Sequence, residues 1–135
     1  GIATPPGIAF AERKVLGTKP RSYLISLFMP DVLEVDQAFR RWTEDEHIGV
    51  RKIALQSVGR LIGLLHDAGF ANRDLKARNI LISDEGAASI IDLDGIAHSD
   101  RVNEETRIKN LRRIVRAIPS FGTLTVKDGL RFLRS

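Results

Sequence analysis

The 135-residue sequence contains no cysteine, which excludes disulfide bonds, thiolate zinc sites and cysteine nucleophiles. Aromatic residues make up only 6% of it, without zinc-finger spacing or an aromatic ladder for base stacking, so we expect no nucleic-acid partner. No apolar run approaches the roughly 18 residues of a membrane-spanning helix, and the N-terminus lacks the order of a signal peptide. With a formal net charge of +4, the composition fits one globular domain, which we expect in the cytoplasm.

The ends of the sequence are unusual for a complete protein. The chain begins at Gly1 where a methionine would be expected, and it stops at Ser135 inside a predicted helix. Glycine-rich loops that cradle nucleotide phosphates are absent from it as well. We therefore expect the sequence to be a piece of a longer protein.

The hydrophobic pattern that is present predicts an α+β chain. Two strands joined by a Gly-Thr-Lys-Pro turn form a hairpin, and a second hairpin of short apolar strands surrounds an Asp-Glu-Gly turn. Helices follow from apolar residues at steps of three and four. In chain order the predicted elements are strands at 7–16 and 21–29, helices at 35–42 and from a capping box at 43–46 to 66, strands at 79–83 and 87–92, and helices from 103 to 118 and from 125 onward.

The residues most informative about function lie between the long helix and the end of the second hairpin. Asp74 lies in a polar loop, Asn79 begins a strand, and Asp92 ends the strand paired with it. Because a hairpin returns its second strand beside the start of its first, we expect Asn79 and Asp92 to lie together, with Asp74 facing them. Such oxygen ligands suit Mg²⁺, which proteins hold through one or two carboxylates and substrate phosphates. A further carboxylate can accept the proton of a hydroxyl nucleophile, so the pattern predicts phosphoryl transfer.

Two motifs carry a family resemblance. Residues 72–79 read Asn-Arg-Asp-Leu-Lys-Ala-Arg-Asn and match the kinase catalytic loop except that Asn72 replaces its histidine. Residues 91–94 read Ile-Asp-Leu-Asp, a form more typical of sugar and small-molecule kinases than the Asp-Phe-Gly of protein kinases. The chain resembles the catalytic half of the protein-kinase superfamily. It is most similar to the bacterial lipopolysaccharide kinases of the Kdo/WaaP type, also through the helix around Asn110 and the ending at 130–134.

The resemblance implies a fold and a set of residue roles. Residues 1–30 would be the end of the small lobe and the hinge, and residues 31–135 a mainly helical large lobe with a catalytic β-hairpin. The cofactors implied are ATP and Mg²⁺. The implied roles are a catalytic base at Asp74, a phosphate contact at Lys76, magnesium ligands at Asn79 and Asp92, supporting positions at Arg73 and Asp94, and contacts to the adenine at Phe28, Met29 and Leu81.

The densest positive charge lies on the helix predicted from residue 103. Its basic residues lie mainly opposite an apolar stripe, which indicates either a solvated face or contact with an anionic membrane. These residues are Arg107, Arg112, Arg113 and Arg116.

We interpret the sequence as part of a kinase that transfers the γ-phosphate of ATP to a hydroxyl of a lipopolysaccharide core sugar, Kdo or heptose, at the cytoplasmic face of the inner membrane. The isolated chain should be inactive, because it has no strand lysine with a helix glutamate partner to hold the phosphates. A protein serine/threonine kinase is one alternative, favoured by Lys76 and opposed by the short segment at 96–102 where an activation loop would lie. A non-catalytic kinase-like binding module is the other. The missing phosphate loop favours the module, whereas the intact Asp74, Asn79 and Asp92 oppose it.

Overall fold

The computed structural model describes residues 1–42 and 47–117 of the chain, with side chains through Ile114. The capping box at 43–46, the helix from 125 and the ending at 130–134 lie outside these residues. The strands and helices are β1 (Gly7–Arg13), β2 (Arg21–Ser26), β3 (Val32–Glu34), α1 (Val35–Arg41), α2 (Ile48–Asp67), β4 (Phe70–Asn72), β5 (Ile80–Ser83), β6 (Ala88–Ile90), β7 (Ile96–His98) and α3 (Glu104–Ala117). The α+β class predicted from the sequence is confirmed.

The hydrophobic core lies where α1 and α2 cover the sheet formed by β3, β5 and β6. One face of α2 supplies a buried stripe at the helical period, and fully burying each large aliphatic side chain contributes roughly 1.5–3 kcal/mol. The main buried residues are Ala54, Leu55, Val58, Leu61, Ile62 and Leu65 of α2, with Phe39, Leu75, Ile80, Ile82 and Ile90. Among the helices described, none is long and apolar enough to cross a membrane.

The central sheet has the order β3–β5–β6, with all neighbours antiparallel. Strands β5 and β6 form the predicted second hairpin, with Ile80 opposite Ile90. The hydrogen bonds between β5 and β6 continue by one more bond beyond the end of β6, because the backbone N–H of Ile91 donates to the carbonyl of Asn79 at 2.9 Å. This bond places Asp92, the residue after Ile91, beside the beginning of β5.

A smaller sheet pairs β4 with β7, three residues each, and the sequence pattern does not predict either strand. Gly69 links α2 to β4 in a left-handed conformation with φ of 80°. A Cβ atom there would lie 2.2 Å from the carbonyl oxygen of Ser99, and the Ser99 N–H donates to the Gly69 carbonyl at 2.9 Å. Only glycine allows this close approach, which ends α2 and starts the small sheet.

The first hairpin, β1 with β2, forms a separate two-stranded sheet. Its strands are shorter than predicted, ending at Arg13 and Ser26 rather than at 16 and 29. Every residue of both strands is exposed. The segment before β1 reaches the central sheet, because the N–H of Ile90 donates to the Ala3 carbonyl at 2.9 Å.

We predict that Gly69→Ala lowers the free energy of unfolding by at least about 1–2 kcal/mol, since the left-handed backbone and the nearby Ser99 carbonyl both oppose a side chain. Urea unfolding followed by circular dichroism measures the change. Gly63→Ala is the matched control, because Gly63 lies inside α2 with open space for an added methyl group, and it should stabilise by about 0.5–1 kcal/mol. Equal stability of the two variants would contradict the close approach at Gly69.

Candidate functional site

The loop between β4 and β5 carries the predicted catalytic residues. Leu75 is 1% exposed and anchors the loop in the core, whereas Asp74 and Lys76 on either side of it are exposed. A short 3₁₀ turn, Ala77–Asn79, then leads into β5. The alternation of one buried residue between two exposed residues therefore presents a carboxylate and an ammonium group on the same surface of the loop.

Asn79 is the residue that joins the two carboxylate positions. Its side chain is buried, and its Nδ2 donates to the backbone carbonyl of Asp74 at 3.3 Å and to Oδ2 of Asp92 at 3.4 Å. The structure thus brings Asp74, Asn79 and Asp92 together. Asn79 holds the loop that carries Asp74 against the residue that follows the second hairpin.

Asp92 has a left-handed backbone, with φ of 58° and ψ of 76°. Non-glycine residues adopt this region uncommonly, and aspartate and asparagine do so more readily than most. The turn redirects the chain from β6 into the 3₁₀ turn Leu93–Gly95, which contains Asp94. Both Asp92 and Asp94 are exposed, and they line one side of a pocket of about 450 Å³ whose other side includes Gly7, Leu24 and Ser26.

The donor set fits a magnesium ion better than a metal held by protein alone. Among the residues described, no group of three histidine, cysteine, aspartate or glutamate side chains could hold a metal ion. Asn79 and Asp92 do present amide and carboxylate groups in contact with each other. Mg²⁺ is commonly bound by one or two such oxygen ligands, with substrate phosphates and water filling the remaining positions.

Asp74 forms a salt bridge with the next exposed residue of the loop. The Nζ atom of Lys76 lies 2.5 Å from Oδ2 of Asp74, and the two side chains are 45% and 54% exposed. Within the described part of the chain, Oδ1 of Asp74 has no hydrogen-bond partner. One carboxylate oxygen therefore contacts a cation, while the other oxygen of this half-exposed side chain makes no such contact among the described residues.

Asn72, which replaces the histidine of the kinase pattern, is buried and holds the backbone of Asp74. Its Oδ1 accepts a hydrogen bond from the backbone N–H of Asp74 at 2.8 Å. The neighbouring Arg73 N–H donates to the Gly95 carbonyl at 2.8 Å. A Cβ atom on Gly95 would lie 2.6 Å from Asn72 Oδ1, so glycine is needed where the two segments meet.

Asn110, on α3, holds the backbone of Asn72 from the other side. Its Nδ2 donates to the Asn72 carbonyl at 3.0 Å, and its Oδ1 accepts from the Asn72 N–H at 3.3 Å. His66 Nε2 lies 3.2 Å from the same Oδ1. The sequence pattern did not predict this role for Asn110, although an asparagine four residues before the apolar Ile114 on a helix indicates a buried amide with a partner.

His66 is buried at the end of α2, and desolvation lowers its pKa from 6.5, although the hydrogen bond with Asn110 opposes this effect. Arg107 lowers the pKa further and Asp67 raises it. Because Oδ1 of Asn110 can only accept, the neutral imidazole carries its proton on Nε2 in this arrangement. His66 is therefore a neutral donor that orients Asn110.

Of the three residues expected near an adenine, Met29 and Leu81 lie close to the same residue of β6, and Phe28 precedes Met29 in the chain. Phe28 is 88% exposed. Met29 is partly buried, and its sulfur accepts a hydrogen bond from the Ser89 hydroxyl at 3.8 Å. Leu81 is paired with Ser89 across the hairpin, so Met29 and Leu81 lie near the same point of β6.

The basic residues of α3 do not form one uniform surface. Arg107 binds Asp67 at 3.0 Å, Arg113 Nη1 donates to the Asn72 carbonyl at 3.4 Å, and Arg112 is exposed. The side chain of Arg116 lies outside the described residues. Two of the four predicted anionic-surface residues therefore also make contacts within the protein.

Comparison with known proteins identifies close structural similarity. The sequence profile of the lipopolysaccharide kinase (Kdo/WaaP) family matches residues 1–135. A solved structure described as WaaP in complex with acyl carrier protein superimposes with a TM-score of 0.81 at 25% identity. The match covers 98% of this chain and 58% of that chain, so this chain spans less than two thirds of the WaaP length. No curated protein matches. The protein-kinase-like fold predicted from the motifs is confirmed, whereas nothing in the sequence indicated acyl carrier protein.

We predict that the free energy of unfolding decreases as the pH falls below about 6.5. Folding lowers the pKa of His66, so the unfolded chain binds a proton in a pH range where the folded chain excludes it. Urea unfolding at a series of pH values between 7.5 and 5.0 measures the slope. His66→Gln should flatten it, whereas the exposed His98→Gln should retain it. A wild-type slope that survives His66→Gln would contradict the assignment.

Proposed function

The chain belongs to the lipopolysaccharide kinase (Kdo/WaaP) family, and we propose that it carries the catalytic loop of an ATP- and magnesium-dependent kinase acting on a sugar hydroxyl of the lipopolysaccharide core. One observation carries the proposal. The amide of Asn79 contacts both the Asp74 backbone and the Asp92 carboxylate, at 3.3 and 3.4 Å, so a proton acceptor and a candidate magnesium ligand converge on one residue. Transfer of a phosphoryl group needs this juxtaposition.

We propose that residues 1–30 are the end of a small lobe and the hinge, and that residues 31–135 form the large lobe. The self-contained β1–β2 hairpin, exposed on every residue, supports the first assignment. The shared core of α1, α2 and the central sheet supports the second. The sequence contains neither a glycine-rich phosphate loop nor a strand lysine followed by a helix glutamate that could be its partner, so we expect residues 1–135 to transfer phosphate negligibly on their own.

In this proposal the Asn79 amide oxygen and the Asp92 carboxylate would hold Mg²⁺. A bound ion would neutralise charge on the phosphates of ATP during transfer. The pocket beside Asp92 and Asp94, facing β1 and β2, has about 450 Å³ for the nucleotide phosphates. Asp94 lines that pocket without a hydrogen bond to Asn79 among the described residues, which suits a supporting position better than direct ligation.

Asp74 acts as the base. The acceptor hydroxyl gives its proton to Oδ1 of Asp74, its oxygen forms a bond to the γ-phosphorus, and the bond from that phosphorus to the bridging oxygen of ADP breaks. Lys76, held on Oδ2 at 2.5 Å, keeps the carboxylate oriented and offers its remaining N–H groups to the phosphoryl oxygens. Asn72 fixes the backbone of Asp74 during this step.

The protein serine/threonine kinase alternative is opposed by the length of the segment after Asp92. Strand β7 ends at His98 and α3 begins at Glu104, so only residues 99–103 separate them. This connection has little room for the long activation segment that positions a peptide in protein kinases. A small acceptor that reaches Asp74 directly suits the geometry better.

We predict that Asp74→Asn, in the protein expressed from its full coding sequence, lowers kcat by about 10²–10⁴-fold while Mg²⁺–ATP binding is nearly unchanged, because only the proton acceptor is lost. Asp92→Asn should weaken both, since it removes a charge from the ion site. Kinetics and calorimetric titration of ATP with Mg²⁺ measure the two effects. Asp84→Asn, in the exposed hairpin turn, is the control and should behave as wild type. Unchanged turnover in Asp74→Asn would contradict the assignment of Asp74 as the base, whereas no turnover by the unaltered protein would favour the binding-module alternative.

A second prediction concerns the acceptor. Incubation of the full-length protein with labelled ATP should place label in a lipopolysaccharide core precursor and not in a protein mixture. Each incubation is run with and without acyl carrier protein, because a solved WaaP structure contains it. If the acceptor is presented at an anionic membrane, Arg112→Glu should raise the KM for the lipid-linked acceptor at low salt but not the KM for ATP. Label found in protein alone would overturn the sugar assignment in favour of the protein-kinase alternative.

A further inference from the structure

A second pocket, of about 380 Å³, lies between β4, β7 and the first turns of α3. Four basic side chains line it: Arg73, Arg101, Lys109 and Arg113. No aspartate or glutamate is among its described lining residues. We name this site the arginine pocket. Its size is in the range of ordinary small-ligand sites, which begin at about 300 Å³.

Most of this positive charge has no internal counter-ion. Lys109 binds Glu105 at 2.7 Å, but Glu105 does not line the pocket. Arg113 donates to a neutral carbonyl, that of Asn72, at 3.4 Å. Within the described residues, Arg73 and Arg101 form no ion pair. Like charges gathered in one concave site repel one another and produce a field that attracts an anion, so the cluster is suited to an external negative group.

A hydroxyl lies in the wall as well. Thr106 lines the pocket in the first turn of α3, and its hydroxyl can donate to an oxyanion, while its backbone N–H already donates to Oδ1 of Asn103 at 2.8 Å. Three of the basic residues are arginines, whose planar fork binds phosphate or carboxylate through two parallel hydrogen bonds. The chemistry of the wall therefore favours an oxyanion over a neutral sugar face.

The arginine pocket adjoins the catalytic loop. Two of its lining residues, Asn72 and Arg73, immediately precede Asp74, and Asn72 holds the Asp74 backbone at 2.8 Å. By contrast, Asp92 and Asp94 line the other pocket, beside β1 and β2. A molecule seated among the arginines would thus lie next to the base and apart from the carboxylates assigned to the nucleotide.

We propose that the arginine pocket binds a phosphate or carboxylate group of the acceptor and so presents a neighbouring hydroxyl to Asp74. This inference rests on the proposed function, since it takes Asp74 as the base, and it adds the place at which an anionic group of the acceptor is held. Anchoring one anionic group fixes the position of the hydroxyl relative to Oδ1, which is the orientation effect that makes such a transfer fast.

The first test measures binding without turnover. Glucose 6-phosphate and glucose, both without ATP or Mg²⁺, are titrated into the protein expressed from its full coding sequence, and NMR shifts are recorded. Arg101→Gln/Arg113→Gln should weaken binding of the sugar phosphate at least tenfold, whereas Lys52→Gln/Arg60→Gln, an equal charge loss on α2 outside the pocket, should change it less than twofold. Equal binding to both double variants would overturn the proposal.

Arg113 also contacts Asn72, so its replacement could disturb the loop as well as the pocket. The single variant Arg101→Gln leaves that contact intact and tests the pocket alone. It should lose at least threefold in binding of the sugar phosphate with an unchanged unfolding midpoint. Full retention of binding by Arg101→Gln would count against the pocket, whatever the stability of the double variant.

The second test distinguishes two ligands of the arginine pocket, an anionic group of the acceptor and free phosphate. The double variant Arg101→Gln/Arg113→Gln should raise the KM for a core acceptor at least tenfold and leave the KM for ATP unchanged, and the effect should vanish when the acceptor has lost its phosphate and carboxylate groups. Inorganic phosphate should compete with the anionic acceptor. The arginine variants could lose binding of inorganic phosphate and yet keep the wild-type KM for the acceptor. That result would show a site for free phosphate and overturn the proposal. Loss of binding to anionic lipid vesicles alone would overturn it in favour of a membrane contact.

The two proposals fail in different ways. If wild-type protein transfers no phosphate to any sugar, the proposed function fails, while the titration with glucose 6-phosphate still decides whether the arginines bind an anionic sugar. If transfer occurs and the arginine variants retain both sugar-phosphate binding and acceptor KM, the pocket proposal alone fails.

Discussion

The geometry of the site depends on two buried amide side chains that hold the main chain just before Asp74. Asn110 pairs with both the N–H and the carbonyl of Asn72, at 3.3 and 3.0 Å, and Asn72 in turn accepts from the Asp74 N–H at 2.8 Å. Leaving such buried groups unpaired costs about 1–3 kcal/mol each, so the catalytic loop has one favourable position. His66 completes the arrangement from α2 as a neutral donor. The loop is thereby fixed to two helices, and its exposed residues can be oriented without being buried.

Much of this architecture follows from local sequence patterns, and the remainder depends on contacts that no short pattern contains. The stripe on α2 and the two hairpins are periodic over enough residues to be predicted, and the second hairpin correctly anticipates that Asn79 lies beside Asp92, at 3.4 Å. Strands β4 and β7 are three residues each, too short for an alternating pattern. Their pairing is fixed instead by the close approach at Gly69.

The same limit explains which functional residues could not be predicted from the sequence. Asn72 could be recognised only as a departure from the kinase pattern, and its hydrogen bond to the Asp74 backbone appears only once the loop is folded. Arg101 and Arg113 are twelve positions apart in the sequence numbering, on a loop and a helix, and they meet because β7 returns beside β4. Charge clusters of this kind form when the fold brings distant segments together. The helical pattern of α3 therefore predicted a basic surface on that helix and not a pocket beside Asp74.

Under the proposed function, the distribution of charge around Asp74 would give the two substrates separate places. Carboxylates at Asp92 and Asp94 line the pocket beside the first hairpin, where a cation is needed before phosphates can approach. The arginine pocket already carries the positive charge that an anionic acceptor requires. Mutual repulsion would hinder a phosphorylated nucleotide and an anionic sugar from sharing one site, but two oppositely charged pockets that share no lining residue reduce that repulsion. Under the two proposals, the acceptor would reach Asp74 from the arginine pocket and the γ-phosphate would reach it from the side of Asp92, so that both substrates meet at one residue.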